Sequence, residues 1–369
     1  MKKIIISIIA VLAVSSAVAF YYFYNNSPEK LFSLGVKYSE GNGVIQDYDK
    51  GVEYLKLAAE KNNKDAQYYL AKMYENGTGV KQNSENAVKL YKESIKNGRK
   101  EARYDLAMIY LRGKGVEKNS NLGLELLELA ASENNKDAQF SLAELYEKGD
   151  CVTQDHKKAF ELYSNAVKNG KKEAKYNIAA MYLTGLGVQK DVDKCISLLE
   201  ECSNEGNDQA QVALASIYST GLFVKKDDVK AAQLLEKASI HGNPKAQQIL
   251  GNMYIDGKGV EQNSQKGIEL LQKAANQNDD MAQYSLGVYY AEGKFGLPKN
   301  PHKATEFLEK AADNGNAKAL SHLGTMYFLG NGVSKDMNKA IVYFKRAASK
   351  GEAGAIAVLK AMREAGLTR

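Results

Sequence analysis

Ser27-Pro28-Glu29-Lys30 sets a serine three residues ahead of a lysine, the spacing of the nucleophile element in penicillin-recognising serine hydrolases. That chemistry also needs Ser-Asp-Asn and Lys-Thr-Gly elements, and the chain has neither. Paired glycines such as Gly77-Thr78-Gly79 invite a phosphate-binding reading. They follow helical rather than strand patterns, and no third glycine opens the next helix as a dinucleotide loop requires. They read as turns. Four histidines, His156, His241, His302 and His322, are scattered without ligand spacing. No catalytic residue, metal site or cofactor is therefore expected, and the chain reads as a binder rather than an enzyme.

The elements behind these residues repeat. Tyrosine recurs at Tyr38, Tyr74, Tyr110, Tyr146, Tyr182, Tyr218, Tyr254, Tyr290 and Tyr327, at a spacing of 36 with one step of 37. A glycine follows three residues later each time, from Gly41 to Gly330. A fixed period of this size marks units that bury their apolar faces only against their neighbours. In one unit, Ala66, Leu70, Ala71 and Tyr74 share a helical face, and Gly77 and Gly79 end it. Asn83 then caps a second helix, whose face carries Ala87, Leu90, Tyr91 and Ser94. The cap is Asp or Asn in every unit: Asp47, Asn83, Asn119, Asp155, Asp191, Asp227, Asn263, Asn300 and Asp336. Each is worth ~1 kcal/mol through the orphan N–H it satisfies. The second helix closes on Gly or Asn (Asn62, Gly98, Asn134, Gly170, Gly206, Gly242, Asn278, Gly315, Gly351), the residues that tolerate left-handed geometry. The tyrosines are expected in the core, with local partners for their hydroxyls.

The chain thus divides into 1–24, a signal peptide or membrane anchor, 25–29, a short linker, and repeats over 30–354. The repeat frames are 30–65, 66–101, 102–137, 138–173, 174–209, 210–245, 246–281, 282–318 and 319–354, followed by a capping helix and tail over 355–369. Lys30 at the start, and Lys360 and Arg363 at the end, supply the polar terminal faces a finite stack needs. The fold class is all-α: a right-handed α-solenoid of nine two-helix repeats plus a C-terminal capping helix. Cys195 and Cys202 occupy the small-residue places of Ala159 and Ala166 and lie seven residues apart. At ~10 Å along one helix they are beyond disulfide reach. They read as buried thiols, and Cys151 as a loop thiol able to pair across to a neighbour or another chain.

Formal net charge is +6, of which Lys2 and Lys3 contribute two, and lysines alternate with acids without forming a stripe. No nucleic-acid partner is expected. After Met1-Lys2-Lys3 an apolar run extends from Ile4 to Tyr24. It fits either cleavage after Ala17-Val18-Ala19 or retention as an anchor, since 21 residues can cross a ~30 Å hydrocarbon core. The expected location is outside the cytoplasm, either anchored in the inner membrane facing the periplasm or released near Ala19. Asn25-Asn26-Ser27 and Asn76-Gly77-Thr78 are glycosylation acceptors, which keeps a eukaryotic lumenal quality-control adaptor open as an alternative.

Ala282-Gln283-Tyr284-Ser285-Leu286-Gly287-Val288-Tyr289-Tyr290-Ala291-Glu292-Gly293, with Gly330-Asn331-Gly332-Val333-Ser334-Lys335-Asp336 from another unit, closely resembles the Sel-one-like repeat family, relatives of tetratricopeptide repeats. The resemblance covers residues 30 to about 365. Cys151 and Phe223 depart from it where a loop glycine stands elsewhere. One residue is inserted near Phe295, and Leu, Tyr or Phe replaces the family's second-helix tryptophan (Leu90, Leu126, Tyr343). The resemblance implies a non-catalytic adaptor whose first helices line a concave face that holds a protein or peptide, in envelope assembly, signalling or host interaction. By position the candidate contacts are Tyr68, Tyr104, Met108, Leu111, Arg112, Phe140, Tyr176, Leu183, Val288, Phe328 and Leu329. Apolar residues among them are expected to be surplus to the repeat's own core. A cysteine-rich branch of the family is credited with β-lactam hydrolysis. This chain lacks that branch's cysteine pairs, so a β-lactamase-like or cell-wall-ligand-binding role is the alternative.

Overall fold

The computed structural model describes residues 26–367, so the expected leader and its cleavage position lie outside the described residues. Among the described residues there are nineteen α-helices and no strand. None of these helices is long and apolar enough to cross a membrane. The chain divides into two compact units, residues 1–190 and 191–369. The first holds α1 (Pro28–Glu40), α2 (Tyr48–Glu60), α3 (Lys64–Asn76), α4 (Ser84–Lys96), α5 (Ala102–Arg112), α6 (Ser120–Ser132), α7 (Lys136–Lys148), α8 (His156–Lys168) and α9 (Ala174–Thr184). The second holds α10 (Val192–Asn204), α11 (Asp208–Thr220), α12 (Asp228–Ile240), α13 (Pro244–Asp256), α14 (Ser264–Asn276), α15 (Asp280–Glu292), α16 (Pro301–Asp313), α17 (Ala317–Leu329), α18 (Met337–Ser349) and α19 (Ala353–Glu364). Within each unit every helix packs on the next one in sequence.

The helices stop and start where the side chains dictate. Each expected Asx cap accepts from the backbone N–H three residues on, as Asp47 does from Lys50 at 3.0 Å and Asp155 from Lys158 at 2.9 Å. The second helices end on left-handed residues, Asn62 at φ 62° and Gly98 at φ 96° among them. Cys151, at φ 61°, takes the same geometry where a loop glycine stands in other repeats. The alanine that opens each first-helix pattern, from Ala66 through Ala355, is fully buried. Interiors pack at crystal-like density, so that place admits little beyond a methyl group.

Two boundaries differ from the sequence reading. The 25–29 segment is structured from Ser27, which caps α1 through Lys30 N–H at 3.2 Å with Pro28 in the first turn. The Ser-x-x-Lys spacing is thus a helix start. First helices also begin ahead of their alanine, because Asn63, Asn135, Asn207, Asn243, Asp279, Asn316 and Glu352 cap them. Only α5 and α9 lack such a side-chain cap, and they are shorter, at 11 residues. Arg99 and Lys171 stand at the cap position there and pair instead with Asp65 and Asp137.

That exception exposes a longer period of two repeats. Residues 64–99 and 136–171 share Asp65/Asp137, Gln67/Gln139, Glu75/Glu147, Tyr91/Tyr163 and Asn97/Asn169. Asn97 donates to Gln67 and Asn169 to Gln139, at 2.9 and 2.8 Å. The recurring tyrosines are half-buried in the first unit and buried at Tyr254, Tyr290 and Tyr327, less enclosed than a core reading implies. Several sit in a polar clamp: Tyr146 donates to Glu128 at 3.1 Å while Lys158 sits 4.1 Å over its ring. Glu200, Tyr218 and Lys230 repeat the clamp, as do Glu236, Tyr254 and Lys266. Cys195 and Cys202 are buried, as their spacing predicts, and burial pushes the Cys195 thiol up; Cys151 is exposed.

Candidate partner-binding faces

In the first unit the candidate contacts lie on α3, α5, α7 and α9. Tyr68 packs edge-on against Tyr91 with ring centroids 5.8 Å apart, and Arg99 sits 4.1 Å over its ring. Its hydroxyl donates to Asp105 at 2.8 Å, and Lys72 donates to the other oxygen at 2.8 Å. Two repeats on, Phe140 packs on Tyr163 at 5.5 Å under Lys171. Tyr104 shares a 3.4 Å hydrogen bond with Ser141. Tyr176 and Leu183 are half-buried, and Arg112 is exposed. These aromatics are thus partly spent on holding neighbouring repeats together.

Met108 and Leu111 correct the expectation that they are surplus to the core. Both rest on the buried cluster of Leu127, Ala130 and Leu142. A Cβ at Gly123 would lie only 2.7 Å from Leu111 Cγ. The glycine on α6 makes room for the leucine on α5, so Leu111 is a packing residue in part. In the second unit Phe328 is likewise packed against the terminal core, and Val288 is half-buried. Leu329, 56% exposed, is the candidate that does stand free of the core. His322, on α17, packs edge-on against Tyr284 at 6.4 Å. Burial holds its imidazole below the ordinary histidine range, with Glu292 opposing.

The residue list misses a concavity. A groove of about 510 Å³ lies between α1 and α3, with Tyr48, Tyr68, Tyr69 and Met73 as its apolar and aromatic lining. Glu40, Gln46, Lys72 and Asn76 supply its polar positions. Tyr48 is set there by Gly79, whose missing side chain would meet the ring at 2.6 Å. Tyr69 donates to Glu40 at 3.0 Å and packs on Phe32. Burial first, then the carboxylates beside them, push Tyr68 and Tyr69 up to about 12, so both hydroxyls are donors at neutral pH. The fully buried Tyr91 and Tyr163 donate to Glu75 and Glu147, at 2.7 and 2.6 Å, with their phenols also raised, chiefly by burial. The groove offers apolar surface, donors and one oriented carboxylate, Glu40. Only Tyr68 of its lining was a sequence candidate, because Tyr48 and Tyr69 lie outside the positions carried over from related repeats.

Comparisons with known proteins agree with the repeat. The Sel1 repeat model matches residues 31–63, 64–98, 100–135, 136–171, 172–207, 208–243, 244–279, 280–316 and 317–352. No curated protein matches. Among solved structures, a protective antigen of uropathogenic Escherichia coli displaying an SLR fold is 28% identical, covering 94% of this chain and 82% of its own, with a TM-score of 0.49. A Sel1 repeat protein from Oxalobacter formigenes is 28% identical over 91% of this chain and 86% of its own, with a TM-score of 0.45. An immunity protein from Pseudomonas aeruginosa is 23% identical over 60% of this chain and 83% of its own, with a TM-score of 0.42.

Proposed function

The chain belongs to the Sel1 repeat family, and from that premise we propose that it is a non-catalytic adaptor holding a protein partner on its first-helix faces. The observation that carries this reading is the groove between α1 and α3, about 510 Å³ and lined by Tyr48, Tyr68, Tyr69 and Met73. Apolar concavities rimmed by polar groups mark binding surfaces. A groove built on helices rather than loops is pre-organised, which reduces the ordering cost of association. The apolar run at 4–24 supports an adaptor working outside the cytoplasm, anchored or released.

Crosslinked affinity capture from the native host tests the proposal, with wild type beside the double variant Tyr48→Ala, Leu329→Ala and with the bait's N-terminus sequenced. A protein recovered with wild type and lost from the variant is the expected result. Equal recovery from both moves the interface away from the α1–α3 groove and the end of α17. A bait starting at Phe20 indicates cleavage. Nitrocefin turnover by the purified protein would replace the adaptor reading with the hydrolase alternative.

A further inference from the structure

Charge selects what the α1–α3 groove can hold. Lys72, the one cation among the lining residues, is committed to Asp105 at 2.8 Å. Glu40 accepts from Tyr69 Oη at 3.0 Å and from Asn42 Nδ2 at 2.7 Å, both uncharged donors. Among the described residues Glu40 has no cation within ion-pair distance, although Asp65 on α3 and Asp105 on α5 are paired. Tyr69 therefore orients this anion without neutralising it. Ser39, also on the lining, is 3% exposed, and its Oγ lacks a hydrogen-bond partner. Beside these polar groups lie the faces of Tyr48 and Tyr69, which suit an apolar side chain or the stem of a long cation.

We infer that this groove takes an extended segment of a partner protein that presents a lysine or arginine next to an aromatic or aliphatic side chain. The inference rests on the adaptor reading and adds the chemistry of the partner. The cation lies against Glu40, and its neighbour against Tyr48, Tyr69 and Met73. The cleft between α2 and α4, of about 500 Å³, makes no such selection, since Lys56, Lys89 and Lys96 line it together with Glu60 and Glu93.

The full chain is panned against a phage-displayed library of random peptides, and the strongest binder is synthesised and titrated by fluorescence anisotropy. Wild type is compared with Glu40→Gln and, as a control off the lining, Glu75→Gln, both checked for helicity. Glutamine keeps the shape and still accepts from the tyrosine hydroxyl. Enriched peptides should carry Lys or Arg beside an apolar residue. Glu40→Gln should weaken binding about tenfold, as removal of a charge-assisted hydrogen bond does, while Glu75→Gln leaves it near wild type, and wild-type affinity should fall with added salt. Enrichment of acidic or uncharged peptides, or equal affinity for wild type and Glu40→Gln, overturns the inference while leaving the adaptor reading standing. If wild type retains no peptide and the host capture also yields no protein, the adaptor reading falls and takes this one with it.

Discussion

His322 couples stability to pH through its burial. It sits half-buried on Tyr284, and burial favours its neutral form. The folded chain therefore binds a proton there less readily than the unfolded one, whose histidine titrates near ~6.5. Its stabilising contribution is complete above that pH and is lost as pH falls through the lowered folded value. The urea midpoint of wild type should drop between pH 7 and pH 5, and His322→Gln should flatten the drop. Identical slopes for the two proteins would show that carboxylates dominate the acid limb instead. Tyr68 and Tyr69 act at the other end of the scale. Raised to about 12, they hold their contribution up to roughly pH 10, and it is lost as pH climbs through about 12.

At the scale of the helix, caps and close approaches set the outcome. Asp155→Ala should cost about 1 kcal/mol by freeing the N–H that its side chain accepts, read as a lower thermal midpoint. Leu111→Glu should cost about 2 kcal/mol or more, because a charge would replace an apolar side chain packed over Gly123. Leu329→Glu, at an exposed place, should leave the midpoint within ~0.5 kcal/mol of wild type. A chain in which Leu111→Glu is as stable as Leu329→Glu would return Leu111 to the list of free contacts. The second-helix caps were readable from sequence because an Asx falls nine residues after each tyrosine, or ten after Tyr290, where one residue is inserted. Two first-helix caps, Asn63 and Asn135, were hidden in doublets: Asn62 ends α2 in left-handed geometry at φ 62°, while its neighbour Asn63 caps α3 in extended geometry at φ −68°. Identical letters do opposite work, and only the backbone separates them. Leu111 was hidden for a related reason. Its burial depends on the glycine facing it across a hairpin, a pairing that no single helical face reveals.

At the scale of the molecule, the period was legible throughout and the α1–α3 groove was not, because its lining comes from two first helices, a second helix and the loops around them. The end of the stack matches its sequence: α19 buries Ala355 and Met362 and exposes Lys360 and Arg363. The two-repeat period reaches further. Asn63-Lys64-Asp65-Ala66-Gln67 and Asn135-Lys136-Asp137-Ala138-Gln139 are the same five letters in the same capped turn. Gln67 donates to Ala59 O and Gln139 to Ala131 O, at 3.1 and 3.0 Å, so the helix arriving at each junction meets one and the same contact. Removing residues 64–135 rejoins Asn63 to Lys136 within the same capped turn. The shortened chain should keep its helicity per residue by circular dichroism and unfold in one transition. Recombination between such copies would add or delete a folded pair of hairpins in a single event, so the ancestry of this protein can change its reach without passing through an unfolded intermediate length.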